Sequence, residues 1–261
     1  MTGRLSHDRI ESEIFSWLQK VPFIATYART RGWYFIAAWA HRITGLLMVL
    51  MVWGHITFLG SPIPAGTFLV WLFAVLCLFH GLNGGRLILY ESFGNRNDES
   101  LMHWVFGLSV LYLAVLAMIT LSKGQAVTPS FFWVVAVLAS LVLGYGVAVQ
   151  VWSTAHSIFW RLQRISGAFL LPVLPAYLVF MQFSLPTGGY EGMMRVALQS
   201  VFIKLVFLLT MAAAIYHGAF GLFSVVSDYV HSKIVKSASA ILIMLLALIF
   251  AGIGSKAILG G

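Results

Sequence analysis

Two histidines, His80 and His217, are followed by matching partners at matching spacing. Gly84 and Gly221 lie four residues on, and the acids Glu91 and Asp228 lie eleven residues on. A residue four positions along a helix shares the same face, one turn away. Eleven positions span about 16 Å of helix rise. Helices that bring their acids to one rim therefore carry the two imidazoles at one depth. Two neutral imidazoles at equal depth can ligate one haem b iron from opposite sides. A glycine one turn from each lets a flat macrocycle approach the backbone. Two other chemistries stay open. The pair can be core histidines hydrogen-bonded across helices. A proton-coupled transporter also places His and Glu within the membrane, although transporter sites lie near the midplane and these acids fall at the rim.

The elements that position these residues must be membrane helices. The chain has 261 residues, of which 60% are apolar and 9% charged. Soluble domains are nearer half apolar and a quarter charged. The composition predicts an all-α integral membrane protein with about seven transmembrane helices. Apolar segments lie near 35–60, 66–90, 102–121, 131–150, 165–185, 199–225 and 237–258. At about 22 residues per span they use most of the chain. Turn residues separate them at Ser61-Pro62-Ile63-Pro64, Gly94-Asn95, Lys123-Gly124 and Pro186-Thr187-Gly188-Gly189. Pro172 and Pro175 predict a kink in the fifth span.

Several chemistries are excluded from the chain itself. The single cysteine, Cys77, rules out a thiolate-bound iron–sulfur cluster, a covalent c-type haem and an intrachain disulfide. No glycine-rich nucleotide loop follows a strand pattern, so any flavin belongs to a partner. The net charge of +8 is not a nucleic-acid footprint, because in a membrane chain the placement of the charges decides.

Residues 1–34 form the one long polar stretch and read as a cytoplasmic amphipathic segment, with Ile10, Ile14, Phe15, Leu18 and Val21 at helical spacing. No apolar core with a small-residue cleavage site follows, so no cleaved signal peptide is expected. With this end inside, twelve of the 16 Lys and Arg residues fall on the inner side. Only Lys123, Arg195, Lys204 and Lys256 fall outside. The bias predicts an inner N-terminus and an outer C-terminus in the cytoplasmic (inner) membrane of a prokaryote.

An internal repeat is legible. Arg42-Ile43-Thr44-Gly45 opens the first span and Arg164-Ile165-Ser166-Gly167 opens the fifth, and each precedes one of the histidine helices. Two three-helix repeats of like orientation need one extra crossing between them. The segment 131–150 carries no ionisable residue and reads as that connector. The expected units are 35–122, a bridging stretch at 123–160, and 161–261. Any haem lies between the second and sixth helices. His41, Arg42 and Arg86 are positioned to receive its propionates, unless the arginines merely snorkel to the interface.

These motifs resemble the membrane anchor subunits of succinate dehydrogenase, respiratory complex II. The large anchor of that family opens S-x-x-H-R-x-[ST]-G, here Ala38-Trp39-Ala40-His41-Arg42-Ile43-Thr44-Gly45. Its second helix carries H-x3-G-x-R, matched by His80, Gly84 and Arg86. The small anchor carries H-x3-G and then Asp-Tyr, matched by His217, Gly221, Asp228 and Tyr229. The chain thus looks like both anchors fused in order. The resemblance implies His80 and His217 as axial ligands of one haem b. It also implies a quinone site at Tyr229, Arg42 and Asp228, where Tyr hydrogen-bonds a quinone carbonyl and Asp tunes Arg. Ala38 stands where the family has a serine, so a hydroxyl donor is missing and the head group or its pose can differ.

By the same resemblance the chain is an anchor that docks an iron–sulfur subunit and passes electrons to membrane quinone. FAD and the iron–sulfur clusters reside only in that subunit and a flavoprotein subunit, so the chain alone does not oxidise succinate. A higher oligomer of the complex is a further expectation. The alternatives are the anchor of a quinol:fumarate reductase and the haem-free transporter. Related single-chain anchors carry two haems, and His55 near the outer end of the first span is placed for a second, with Met181 the only candidate partner at that depth. One haem is the expectation. His7 and His103 carry no assignment, while His156, His231, Trp152 and Trp160 read as contacts to lipid headgroups or the soluble partner.

Overall fold

The computed structural model describes residues 33–54, 68–93, 129–183 and 198–260, with scattered positions between 16 and 31 and between 107 and 118. The N-terminal amphipathic segment therefore lies largely outside the described residues. Six helices are traced in full: α1 (Trp33–Gly54), α2 (Phe68–Phe93), α3 (Pro129–Trp152), α4 (Ile158–Phe183), α5 (Val201–Tyr229) and α6 (Lys233–Leu259). There is no strand among the described residues.

In lipid no water satisfies exposed backbone groups, so an apolar chain crosses as helix. The helices run from 22 to 29 residues, about 33 to 44 Å, and the hydrocarbon core is about 30 Å thick. All six contain a stretch long and apolar enough to span. Helical residues at 107–112, 114, 115 and 118 fall within the third expected segment. The chain is thus an all-α, membrane-spanning bundle of six to seven helices.

Two boundaries differ from the apolar pattern. Helix α4 starts at Ile158 rather than near 165. Ser157 caps it, its Oγ accepting from Trp160 N at 3.3 Å, and the first turns carry Arg161 and Arg164. Those turns are helical but not apolar, so hydropathy alone starts the element late. Helix α5 likewise continues past its apolar run to Tyr229, and Ser232 caps α6 by accepting from Val235 N. Helix α4 runs without a break through Pro172 and Pro175. Tyr112 Oη donates to the Pro172 carbonyl at 2.9 Å, tying the 107–118 region to α4.

Helices α1, α2, α4 and α5 pack as a closed ring in that order. The two histidine helices, α2 and α5, therefore stand at opposite corners. Helix α3 lies along α4, and α6 lies along α5. Helix α3 carries much of the apolar core. Trp133 is fully buried between Phe180 and Phe207, with ring centroids at 5.3 and 5.0 Å. Phe132, Ala136, Phe169, Val173 and Val206 belong to the same cluster, and Val147, Val151, Ala168 and Ile88 form a second. By contrast α6 has no buried residue, as suits a helix on the bundle's lipid-facing exterior.

Candidate functional site

Helices α1 and α4 begin, and α2 and α5 end, at the same face of the ring. Arg42 lies in the first half of α1, and Asp228 and Tyr229 close α5. The Arg42 guanidinium spans the gap. Its Nη1 donates to Tyr229 Oη at 2.6 Å, and its Nη2 donates to Asp228 Oδ2 at 2.6 Å. Trp39, three residues before Arg42, packs its ring 5.5 Å from that of Tyr229. Arg42 and Asp228 are partly open to solvent, and Tyr229 is 48% exposed. The cluster is open at the surface of the bundle rather than sealed in the core. Ala38 lies on the same stretch of α1 and adds no polar atom.

A second cluster repeats the first. Arg164 Nε donates to Glu91 Oε2 at 2.5 Å, joining the start of α4 to the end of α2. Each arginine thus pairs with the acid of the opposite half. Such reciprocal exchange is the contact pattern of a two-fold axis, here between two parts of one chain. The halves are not chemically equal. Ser92 occupies the place of Tyr229, and its Oγ is buried without a partner. Arg164 lies over the Trp160 ring at 4.9 Å. Only the Asp228 side presents an exposed phenol.

Deeper in the ring, the His80 and His217 rings lie 6.2 Å apart, centroid to centroid, at 84°. Each sits against a glycine of the preceding helix. A Cβ on Gly45 would fall 2.9 Å from His80 Cε1, and a Cβ on Gly167 would fall 2.9 Å from His217 Cε1. The glycines of the two R-I-[ST]-G motifs thus make room for the two imidazoles. The glycines one turn beyond the histidines serve other side chains. Gly84 faces His41, whose Cε1 would lie 3.2 Å from an added Cβ, and Gly221 faces Gln163 Nε2 at 3.9 Å. The macrocycle approach expected at Gly84 therefore meets an imidazole, because His41 lies flat against His80 at 3.8 Å and 12°.

The remaining expected residues are placed as follows. His80 Nδ1 lies 3.1 Å from the His41 carbonyl and 3.4 Å from Thr44 Oγ1. Arg86 turns back along its own helix, and its Nη2 donates to Asn83 Oδ1 at 3.2 Å. His41 Nδ1 is buried without a partner. His156 stacks on Trp160 at 4.0 Å, and His231 lies in the turn between α5 and α6. His7, His55, His103 and the Met181 side chain lie outside the described residues. Sequence reasoning passed over Gln163. Aligning the two R-I-[ST]-G motifs places it opposite His41, so the signal was present. The residue is buried at 8% exposure, and its Oε1 has no partner.

The residues fit a bis-imidazole iron. The 6.2 Å between the ring centroids would admit one metal ion between the imidazoles, each bonded at about 2 Å. Among the described residues no group of three or more His, Cys, Asp or Glu could hold a metal ion. A haem iron takes only two ligands from the protein, which the pair could supply.

No curated protein and no solved structure gave a significant match to the chain. One family model does match, over residues 145–254, from the second half of α3 to near the end of α6. The matched part holds His217, Arg164, Asp228 and Tyr229, while the first half of the chain lies outside it. Residues 145–254 match the family of the succinate dehydrogenase/fumarate reductase transmembrane subunit.

Proposed function

We propose that the chain is the haem b-containing membrane anchor of a succinate:quinone oxidoreductase. In this reading it docks an iron–sulfur subunit and delivers electrons to membrane quinone. The observation that carries the reading is the Arg42 guanidinium, which gathers Asp228 and Tyr229 at the accessible rim of the histidine-bearing ring. The family domain over residues 145–254 supports it.

Reduction of a quinone to a quinol adds two electrons and two protons, and negative charge gathers on the carbonyl oxygens. Groups that donate at those oxygens stabilise that charge. The Tyr229 hydroxyl donates to one carbonyl, and Arg42 supplies a fixed cationic donor beside it. Asp228 holds Arg42 in that orientation. Trp39 gives the head group an apolar face. With Ala38 in place of a hydroxyl, the head group is held from the Tyr229 side.

His80 and His217 would hold the haem iron, and His41, Arg42 and Arg86 are the candidates for its propionates. Bound there, haem b supplies a one-electron store close to the quinone. FAD and iron–sulfur clusters belong to the flavoprotein and iron–sulfur partners. The chain is read as two three-helix units, 35–122 and 161–261, joined through α3, with its N-terminus on the cytoplasmic side of a prokaryotic inner membrane.

A quinol:fumarate reductase anchor is the second reading, favoured by the matched family's inclusion of both enzymes. The same residues serve either direction. A proton-coupled transporter has less support, since Glu91 and Asp228 are each tied to an arginine.

Tyr229→Phe in the purified complex tests the quinone assignment. A hydrogen bond to a charged group contributes about 1.5–3 kcal/mol, so quinone reduction should fall roughly tenfold to a hundredfold with the haem spectrum intact. Unchanged quinone kinetics would remove Tyr229 from the site.

A further inference from the structure

Phe35, Ala38, Trp39 and Arg42 follow one another on α1 at the three- and four-residue steps of a single helix face. The two ends of that face differ in chemistry. At one end Arg42 bonds Tyr229 and Asp228. Toward the start of the helix the face turns apolar. Ala38 is exposed and offers only a methyl group, and Phe35 has the Arg31 guanidinium over its ring at 5.3 Å. Trp39 stands between the two ends and is 40% exposed. The Phe35 ring meets it edge-on at 6.4 Å and 61°, and the Tyr229 ring is tilted to it at 5.5 Å and 48°. Neither ring lies flat on the indole, so a broad aromatic face is left open beside the Tyr229 hydroxyl.

A quinone held at one carbonyl by Tyr229 would have this face for the rest of its head group. Two kinds of head group fare differently there. A benzoquinone with methoxy substituents brings oxygens to Ala38 and Phe35, whose side chains carry no donor. A polar atom taken from water without a partner costs affinity. A naphthoquinone brings a fused carbocycle instead, which is flat and apolar, and which an indole stacks upon. We propose that Trp39 is the specificity-determining residue of the quinone site, and that the head group it selects is a naphthoquinone. The inference rests on the quinone reading of the Arg42–Tyr229 cluster and adds the class of quinone. Trp39 rewards the second ring, and Ala38 withholds the donor that a methoxylated ring would use.

The test is carried out on the purified complex with a dimethoxybenzoquinone as acceptor and a methylnaphthoquinone of matched side chain as competitor. The readouts are the KM of the first and the inhibition constant, Ki, of the second, for the parent, Trp39→Leu and Trp39→Phe. Both constants report binding, whereas kcat also follows the driving force of each quinone. In the parent the Ki should lie below the KM. A lost aromatic pair weakens binding by roughly threefold to tenfold, so Trp39→Leu should raise the Ki by that factor and the KM by less. Trp39→Phe keeps a smaller ring and should fall between, and it decides the matter if the leucine variant does not fold. A parent Ki no lower than the KM would overturn the proposal, as would Ki and KM rising in parallel in the Trp39 variants. In either case a defect in Tyr229→Phe would leave the quinone site standing. Parent-like kinetics in Tyr229→Phe, with no competition from the naphthoquinone, would overturn the site and this proposal together.

Discussion

Arg42 of the first half bonds Asp228 of the second at 2.6 Å, and Arg164 of the second half bonds Glu91 of the first at 2.5 Å. The exchange ties both halves together at one rim and orders the guanidinium beside Tyr229. Asp228→Asn keeps the shape and removes the charge that orients Arg42. Both side chains are more than a third exposed, so the pair contributes at most about 1 kcal/mol to stability. The expected outcome is a fall of about tenfold in quinone turnover, since the lost ion pair is near that size. Melting behaviour and haem content should stay near those of the parent. Steady-state kinetics beside thermal unfolding in detergent separates the two effects, and parent-like turnover would count against Asp228.

The Glu91–Arg164 pair should behave differently, because Ser92 stands in the place of Tyr229 there. Glu91→Gln is expected to leave quinone kinetics within about twofold and to destabilise the protein by about 1 kcal/mol or less. A double-mutant cycle with Arg164→Gln reads the coupling directly. A large kinetic defect in Glu91→Gln with normal stability would mean that the two rim clusters share the chemistry.

Gly45 and Gly167 each lie where a Cβ would press on a histidine ring at 2.9 Å. Alanine at either position must push the imidazole aside. Gly45→Ala and Gly167→Ala should therefore convert part of the low-spin haem to high-spin, or lose it, while both ligands remain in the chain. Gly252→Ala is the control, since nothing lies within 4 Å of an added Cβ there. Visible spectra compare the three, and an unperturbed spectrum in both motif variants would contradict the packing relationship.

A reporter fused after Gly261 should be active on the periplasmic side. Twelve of the 16 cationic residues would fall on the inner side of a seven-span topology, in which the helical positions at 107–118 would belong to the crossing beyond α1 to α6. A reporter active only in the cytoplasm would remove one of those crossings.

Much of this arrangement was legible in the residues. The eleven-residue spacing from His80 to Glu91 and from His217 to Asp228 places helix ends and imidazoles together without any contact being known. Arg42, Asp228 and Tyr229 were grouped by resemblance, and the structure brings them within hydrogen-bonding distance. Two features were not legible, and a third was legible but passed over. The first turns of α4 are helical and polar, so hydropathy could not find them. Gly84 opens toward His41 because α1 and α2 pack closely, and periodicity within one helix cannot report its neighbour. Gln163 was missed because a glutamine in an apolar helix carries no motif until the second half is laid over the first.

The most direct measurement is a reduced-minus-oxidised visible spectrum of the purified chain, with a pyridine haemochrome count per polypeptide, for the parent, His80→Ala and His217→Ala. The account predicts one low-spin haem b per parent chain and no low-spin haem b in either variant while the protein still inserts. Low-spin haem retained in both variants, or no haem in well-folded parent protein made with ample haem, would contradict it.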